Sequence, residues 1–158
     1  MAENGGHVSR EATHGAPIWR ERSNFIIAAT IDSGNTEFAS EQLWARRVDE
    51  SHFELCCIPF FAYDLALGDV VETNRQYVVR RVTKRSGRYV IRVYFPNAHC
   101  PRDEIAQEMT DRGALLEWSS TNLVAVDVRD RAEARQLAAF LQQQEDLGRL
   151  VYEAGKTT

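Results

Sequence analysis

The chain has 158 residues, of which 44% are hydrophobic and 27% charged, and its formal net charge is −4 at pH 7. A chain of this length can bury a core without metal or disulfides, as one domain or two small packed halves. The acidic balance argues against general nucleic-acid binding and leaves room for a basic protein partner. No apolar run approaches the ~20 residues of a membrane span, and the first residues lack a signal core. We therefore expect a cytoplasmic globular protein with no membrane association.

Residues 1–22 differ in composition from the rest of the chain. They are rich in Gly, Ser, Asn and charged residues, which is typical of disordered segments. Trp19 is the exception. We predict a disordered N-terminal segment in which Trp19 alone docks on the body or caps a sheet edge.

Residues 23–87 predict a half built from short antiparallel strands. Strand-type patterns occur at 25–31, 41–48, 52–58 and 77–83, and a further strand starts at Val70. A turn signal occupies residues 32–35 (Asp-Ser-Gly-Asn). Pro59 cannot donate to a sheet, so pairing should end there, and residues 60–67 should cross the surface to a corner at Gly68-Asp69. Five or six such strands predict a small, curled, barrel-like sheet.

Residues 88–158 predict an α+β half. A strand at 89–95 is followed by a helix that Pro101 starts and Gly113 ends, then by strands at 115–118 and 123–128. A long helix at 130–145 and a last strand at 150–152 complete the order β-α-β-β-α-β, which is the ferredoxin-like pattern. The basic linker 84–88 favours a hairpin between strands 77–83 and 89–95. A strand at 89–95 shared by both halves would pack them as one unit.

Alternation in the strands and 3.6-residue spacing in the last helix predict the buried positions. They are Phe60, Leu65, Leu67, Val70, Tyr77, Val79, Ile91, Val93, Leu116, Val124, Val126, Leu137 and Leu141.

Short motifs along the chain form a pattern. They are EQLW at 41–44, IPFF at 58–61, GDVV at 68–71, Ser86-Gly87, Arg92-Val93, GALLE at 113–117, VAVDV at 124–128 and Tyr152-Glu153. Over about residues 40–155 this pattern resembles a small bacterial family known only as a domain of unknown function. An Asn often precedes the Ile-Pro-Phe of that family, whereas Cys57 stands there in this chain, so no role of that Asn carries over. The resemblance implies a stand-alone bacterial protein and assigns no activity.

The His and Cys residues do not make a convincing metal or catalytic site. His52 and Cys56 share a strand face but lie about 13 Å apart when extended, too far for one zinc ion. Cys100, beside His99 and near a helix start, is the candidate nucleophile, although adjacent side chains rarely face each other. The three cysteines, Cys56, Cys57 and Cys100, are too unevenly spaced for a disulfide framework, and a reducing cytosol favours free thiols. We predict no metal, no cofactor and no structural disulfide.

Two charged groups have alternative interpretations. Asp64, Asp69 and Glu72 could act in acid–base catalysis, but an Asp after Gly is more typical of a turn. The basic run from Arg80 to Arg88, followed by Arg92, could bind single-stranded nucleic acid. A solvated hairpin with protective edge charges explains the same run, so we expect no nucleic-acid partner.

Three function classes follow. A non-enzymatic protein-binding module, such as an immunity or antitoxin-type inhibitor, ranks first because the chain is small and acidic and shows no catalytic set. A regulatory module that binds a small molecule ranks second, and an enzyme using Cys100 or a carboxylate pair ranks third. The expected partner-binding residues lie on the connection before Val70 and on the hairpin after Leu116. They are Phe61, Tyr63, Asp64, Asp69, Glu117 and Trp118.

Overall fold

The computed structural model describes residues 10–31, 37–97 and 100–154. Over these residues the chain forms ten strands in two sheets, two α-helices and a short 3-10 helix, so the fold is mixed α+β. The turn signal at 32–35 and His99 lie outside the described residues. Among those described, no helix is long and apolar enough to cross a membrane.

The first sheet contains six strands. They are β1 Glu11–Ala12, β2 Phe25–Thr30, β3 Ser40–Arg47, β4 His52–Leu55, β5 Val70–Thr73 and β6 Val79–Lys84. The strand order is β1-β3-β4-β5-β6, and β2 pairs with the other side of β3. An isolated bridge joins Ala28 of β2 to Val78 beside β6, so the sheet curls back on itself. The described strands do not close into a barrel.

The second sheet contains the remaining four strands and carries both helices. The elements are β7 Tyr89–Tyr94, α1 Arg102–Asp111, β8 Leu115–Trp118, β9 Leu123–Val128, α2 Arg131–Asp146 and β10 Val151–Ala154. Their order along the chain is β-α-β-β-α-β, and the strands lie antiparallel in the order β10-β7-β9-β8. Asp130 caps α2 by accepting a hydrogen bond from the Glu133 amide.

The apolar cores follow from strand alternation. Ile91, Val93, Val124 and Val126 face the helices and pack with Leu141 of α2. A second cluster, around Phe53 and Leu43, lies within the first sheet. Eight of the predicted core residues are buried, namely Phe60, Leu67, Ile91, Val93, Val124, Val126, Leu137 and Leu141. The other five, Leu65, Val70, Tyr77, Val79 and Leu116, are half-buried.

The predicted hairpin between residues 77–83 and 89–95 is wrong. Strand β6 pairs with β5, whereas β7 pairs with β9 and β10 in the other sheet, so β7 is not shared between the sheets. The linker is fixed at both ends by carboxylates, because Asp69 accepts from the Ser86 amide at 2.8 Å and Asp127 pairs with Arg88 at 2.6 Å. Strand-type residues suit either pairing, so composition alone could not distinguish a hairpin from a transfer between sheets.

The prediction of disorder through residue 22 is wrong for residues 10–22. This segment contains β1 and the 3-10 helix Arg20–Arg22, and its His14 is only 3% exposed. Trp19 docks on Gly68, where an added Cβ would lie 3.5 Å from the indole, and Gly68 has a φ of +83°. The segment packs on the rest of the protein through one buried ionic residue and one aromatic ring. Its other residues are mostly polar, so its average composition wrongly predicted disorder.

Candidate binding site at the junction of the two sheets

The face of the second sheet opposite the helices is covered by an irregular stretch of chain. Residues 58–62, here called the crossing loop, lie over it, and Ile58 and Phe60 pack on Val90 and Ala125. Irregular backbone has no strand or helix to receive its hydrogen bonds, and buried amides and carbonyls need partners. The partners are side chains from both sheets.

Two carboxylates accept the hydrogen bonds of the loop amides. Glu41 of β3 accepts from the amides of Phe60 at 2.7 Å, Phe61 at 2.9 Å and Ala62 at 2.9 Å. Glu117 of β8 accepts from the Ile58 amide at 2.6 Å. The crossing loop is thereby tied to a strand of each sheet through its N–H groups.

One guanidinium binds the loop carbonyls. Arg92 of β7 donates from Nη2 to the carbonyl oxygens of Ala62 at 2.8 Å and Pro59 at 3.3 Å, and from Nε to that of Phe60. Arg92 is only 5% exposed. Burial lowers the pKa of Arg92, and the negative charges of Glu41 and Glu153 oppose that shift. The N–H groups of the crossing loop therefore donate to two carboxylates, and its carbonyl groups accept from one cation.

His14 links the two carboxylates. Its Nδ1 lies 2.8 Å from Glu117 and its Nε2 lies 2.6 Å from Glu41, while its ring stacks on Phe60 with centroids 3.9 Å apart. Burial alone would lower the pKa of His14, but the hydrogen bonds to the carboxylates of Glu117 and Glu41 outweigh it and raise the pKa to about 12. Carboxylates only accept, so both ring nitrogens donate and the ring is an imidazolium. We call His14, Glu41 and Glu117 the sealed cluster.

The same contacts shift the pKa of Glu41 in the opposite direction. Burial would raise the pKa of Glu41, but hydrogen bonds from His14 and from the amides of Phe60 and Phe61 lower it below its usual value. With Arg92 nearby, two buried anions are balanced by two buried cations. Pairing and hydrogen bonding of these buried charges offset part of the free-energy cost of removing them from water.

Cys57, His14 and Glu41 together resemble a nucleophile, base and orienting acid, but the geometry does not permit that chemistry. The side chains of His14 and Glu41 have no exposed surface, and Cys57 is fully buried. Both nitrogens of His14 already donate to carboxylates, so the ring has no lone pair with which to accept the thiol proton. Burial raises the pKa of the Cys57 thiol, which disfavours the nucleophilic thiolate. The group is a structural element.

The six predicted partner-binding residues do not form one surface. Asp69 is buried and accepts from the amides of Ala66 and Ser86, so it is the turn residue that the Gly-Asp context suggested. Glu117 belongs to the sealed cluster. Trp118 lies on the helix side, stacked with Phe95 at 6.0 Å and covered by Arg102.

Phe61, Tyr63 and Asp64 remain close to one another on the loop side. Phe61 and Tyr63 line a cavity, and Tyr63 is 47% exposed. Asp64 adopts a left-handed backbone with φ of +63°, and its carbonyl accepts a hydrogen bond from Arg85. The predicted interface therefore reduces to two aromatic residues and the turn that follows them.

The cavity lies between the crossing loop and the open face of the second sheet, and we call it the junction cavity. Its volume is about 470 Å³. The lining residues are mostly apolar or aromatic, with one buried cation and one carboxylate: Ile31, Phe60, Phe61, Tyr63, Arg92, Tyr94, Leu123, Val151, Tyr152 and Glu153. Such a size and composition are typical of small-molecule sites.

Strand register explains which sheet residues line the cavity. Val151, Tyr94 and Leu123 are paired across β10, β7 and β9 and therefore share one face. In the neighbouring row Glu153 is paired with Arg92. Tyr63 reaches down from the loop, where its hydroxyl donates to Glu153 at 3.0 Å and its ring centroid lies 5.0 Å from the Arg92 guanidinium carbon.

The His, Cys and acidic residues considered above as metal or catalytic groups do not form such a site in the described part of the chain. Among the described residues no group of three or more His, Cys, Asp or Glu side chains could hold a metal ion. The three cysteines are free, and the Cys100 thiol donates to the Asn97 carbonyl at 3.0 Å.

The basic run divides between two sheets. Arg81 pairs with Glu72 and Arg88 with Asp127, whereas Arg92 is buried under the crossing loop. These three arginines therefore do not form one cationic surface.

Sequence reasoning missed His14, Glu41 and Arg92. A signal existed for Glu41, because it occupies an inward position of β3 in alternation with buried Leu43 and Ala45. The motif pattern held a second signal. Glu41 opens the EQLW motif, Glu117 closes GALLE, Arg92 opens the Arg-Val pair, and IPFF is most of the crossing loop. These motifs thus describe how the loop is held.

The chain was compared with known families and structures. A search of the curated proteins gave no match. A crystal structure of a hypothetical protein from Neisseria gonorrhoeae is similar, with a TM-score of 0.70 and 22% sequence identity over 84% of this chain and 95% of that chain. At that identity the likeness shows the fold alone. A family model described as a domain of unknown function, DUF4265, matches residues 41–152, within the span of the resemblance noted above. The chain therefore belongs to this family of domains of unknown function.

Proposed function

We propose that the protein is a non-enzymatic binding module that holds a small amphipathic molecule in the junction cavity. The observation that carries the proposal is a half-open cavity of about 470 Å³ with aromatic walls and a buried guanidinium. Apolar walls supply affinity, and a few fixed polar groups orient the ligand. The sealed cluster supports a binding role because it fixes the crossing loop, which forms one wall of the cavity.

For the second half we propose the ferredoxin-like type of fold. Its β-α-β-β-α-β order and its strand order β10-β7-β9-β8 support this assignment. With both helices on one face, the other face is left to bind something else. Here the crossing loop covers only part of it and leaves the junction cavity. We also propose a cytoplasmic location, which the three free thiols favour.

The test fills the cavity from its exposed rim. Val151 lines the cavity and is 54% exposed, so Val151→Trp should occupy the cavity without disturbing a core. Val48 is 50% exposed and does not line the cavity, which makes Val48→Trp the matched control. Small aromatic compounds would be screened by ligand-observed NMR against all three proteins. We expect ligands that bind the wild type and Val48→Trp but lose binding to Val151→Trp. Compounds that bind all three equally, or none at all, would disprove the proposal.

A second candidate is a protein-binding module, such as an immunity or antitoxin-type inhibitor. The specific observation is that three of the six exposed large hydrophobic side chains in the described residues, Tyr63, Tyr94 and Val151, surround the cavity. Exposed aromatic groups beside a pocket are common at interface centres. The net charge of −4 favours a basic partner. Isothermal titration of a copurifying protein against the wild type and Val151→Trp would test it, and equal affinities would count against this face.

A further inference from the structure

Arg92 has one guanidinium nitrogen that the loop does not use. Nε and Nη2 donate to the carbonyls of the crossing loop, whereas Nη1 is buried and has no hydrogen-bond partner among the described residues. Nε and Nη2 form one edge of the planar guanidinium, so Nη1 lies at the corner turned away from those carbonyls. An unpaired donor on a buried cation costs free energy unless a ligand or water accepts from it.

The residue beside Arg92 carries the opposite charge. Glu153 of β10 is its register partner, so the two Cα atoms lie about 5 Å apart across the strands. Glu153 is exposed and accepts a hydrogen bond from Tyr63 through one carboxylate oxygen. A cationic donor and an anionic acceptor therefore stand side by side at one end of an apolar cavity.

Charge balance restricts what could bind between them. The charges of His14 and Arg92 already balance those of Glu41 and Glu117, so Glu153 leaves an excess negative charge. A simple carboxylate would approach Arg92 against the repulsion of Glu153, and a simple amine would approach Glu153 against that of Arg92. A molecule with adjacent carboxylate and ammonium groups satisfies both residues and adds no net charge.

We infer that the junction cavity binds a free α-amino acid with an apolar or aromatic side chain. Its carboxylate accepts from Nη1 of Arg92, its ammonium donates to Glu153, and its side chain lies among Tyr94, Leu123 and Val151. This inference rests on the proposed function and specifies its ligand.

The test compares three probes that share one ring and differ in charged groups. Phenylalanine has both groups, 3-phenylpropionate lacks the ammonium, and phenethylamine lacks the carboxylate. Each would be titrated into the wild-type protein by isothermal calorimetry. We expect phenylalanine to bind at least about tenfold more tightly than either analogue, since each analogue leaves a charged partner unpaired.

Glu153→Gln is the variant of choice, because an Arg92 substitution would release the loop carbonyls and could unfold the protein. Gln keeps an oxygen that can accept from Tyr63 but removes the negative charge. We expect phenylalanine to bind more weakly and 3-phenylpropionate to bind more tightly, so that the tenfold preference for phenylalanine over 3-phenylpropionate disappears.

The outcomes separate this inference from the proposed function. Equal binding of the three probes, sensitive to Val151→Trp, would leave the cavity a ligand site but overturn the amino-acid assignment. A preference for phenylalanine over 3-phenylpropionate that survives in Glu153→Gln would overturn the assignment of the ammonium to Glu153. If none of the probes binds while other aromatic compounds do, the amino-acid inference alone fails. If no compound binds in the cavity, both fail.

Discussion

The two faces of the second sheet are covered in different ways. On one face α1 and α2 pack on valine, isoleucine and leucine side chains. On the other, the crossing loop packs on Val90 and Ala125 but also on Arg92 and Glu117. The two faces belong to the same four strands, whose successive residues alternate between the helix side and the loop side.

The difference follows from what each cover does with its backbone. A helix satisfies its own amides and carbonyls, so it can rest on a purely apolar surface. An irregular loop cannot, and the surface beneath it must supply acceptors and donors. The sheet therefore carries charged residues on the loop face, because a loop, unlike a helix, cannot satisfy its own backbone groups. The loop also leaves a cavity that a closely packed helix would fill.

Glu41→Gln, on the loop face, should lower the unfolding free energy more than the other substitutions. The change retains size but places an NH₂ group among the amides of Phe60, Phe61 and Ala62 and leaves His14 without one counter-charge. Removing one partner from a buried ion pair costs about 3–5 kcal/mol of unfolding free energy. Denaturant titration would measure it, with Glu72→Gln as the control, because Glu72 pairs with the exposed Arg81. The control should lose less than about 1 kcal/mol. Similar losses for the two variants would contradict this account of the loop face.

Leu137→Ala, on the helix face, should lower the unfolding free energy through lost packing alone. Leu137 is 2% exposed and belongs to the core that α2 forms with the sheet. Truncating a buried leucine costs about 2–4 kcal/mol, from lost burial and the remaining cavity. The same titration should show this loss to be independent of pH between 7 and 8.5. An unchanged denaturation midpoint would mean that α2 packs through another face.

The loop face should also respond to pH where the helix face does not. His14 has a folded pKa of about 12 and an ordinary value of 6.5, so unfolding releases its proton between these values. Its stabilisation is complete below pH 6.5 and is lost as the pH rises toward 12. Between pH 7 and 8.5 the unfolding free energy should fall by about 2 kcal/mol, at about 1.4 kcal/mol per unit.

The matched variants for the pH effect are two histidine substitutions. His14→Gln should abolish the decline between pH 7 and 8.5, whereas His52→Gln, on the surface beside Asp49, should retain it. Thermal midpoints in a series of buffers would suffice. A wild-type midpoint that stays flat across this range would show that the buried ring does not hold its proton.

The same contrast explains which parts of the structure the sequence predicted. The helix face could be predicted, because its apolar residues repeat with the period of strands and helices. Accordingly, β8, β9 and α2 lie within a residue of their predicted bounds. The loop face was not, because His14, Glu41 and Glu117 are far apart in sequence and only the tertiary structure pairs them. The resemblance to a domain of unknown function marked several of the same residues without giving a physical reason for them.

Tyr63→Ala should have the smallest effect on stability and so isolates binding from folding. Tyr63 is 47% exposed, and its hydrogen bond to Glu153 lies at the surface. Exposed side chains away from the core usually change stability by less than about 1 kcal/mol. The ring nevertheless covers the guanidinium of Arg92 and forms a wall of the junction cavity. Binding of a ligand or partner at this face should fall about tenfold, or about 1.4 kcal/mol, measured by calorimetry beside the thermal midpoint. A variant that loses more stability than binding would instead show that Tyr63 supports the fold and not the binding site.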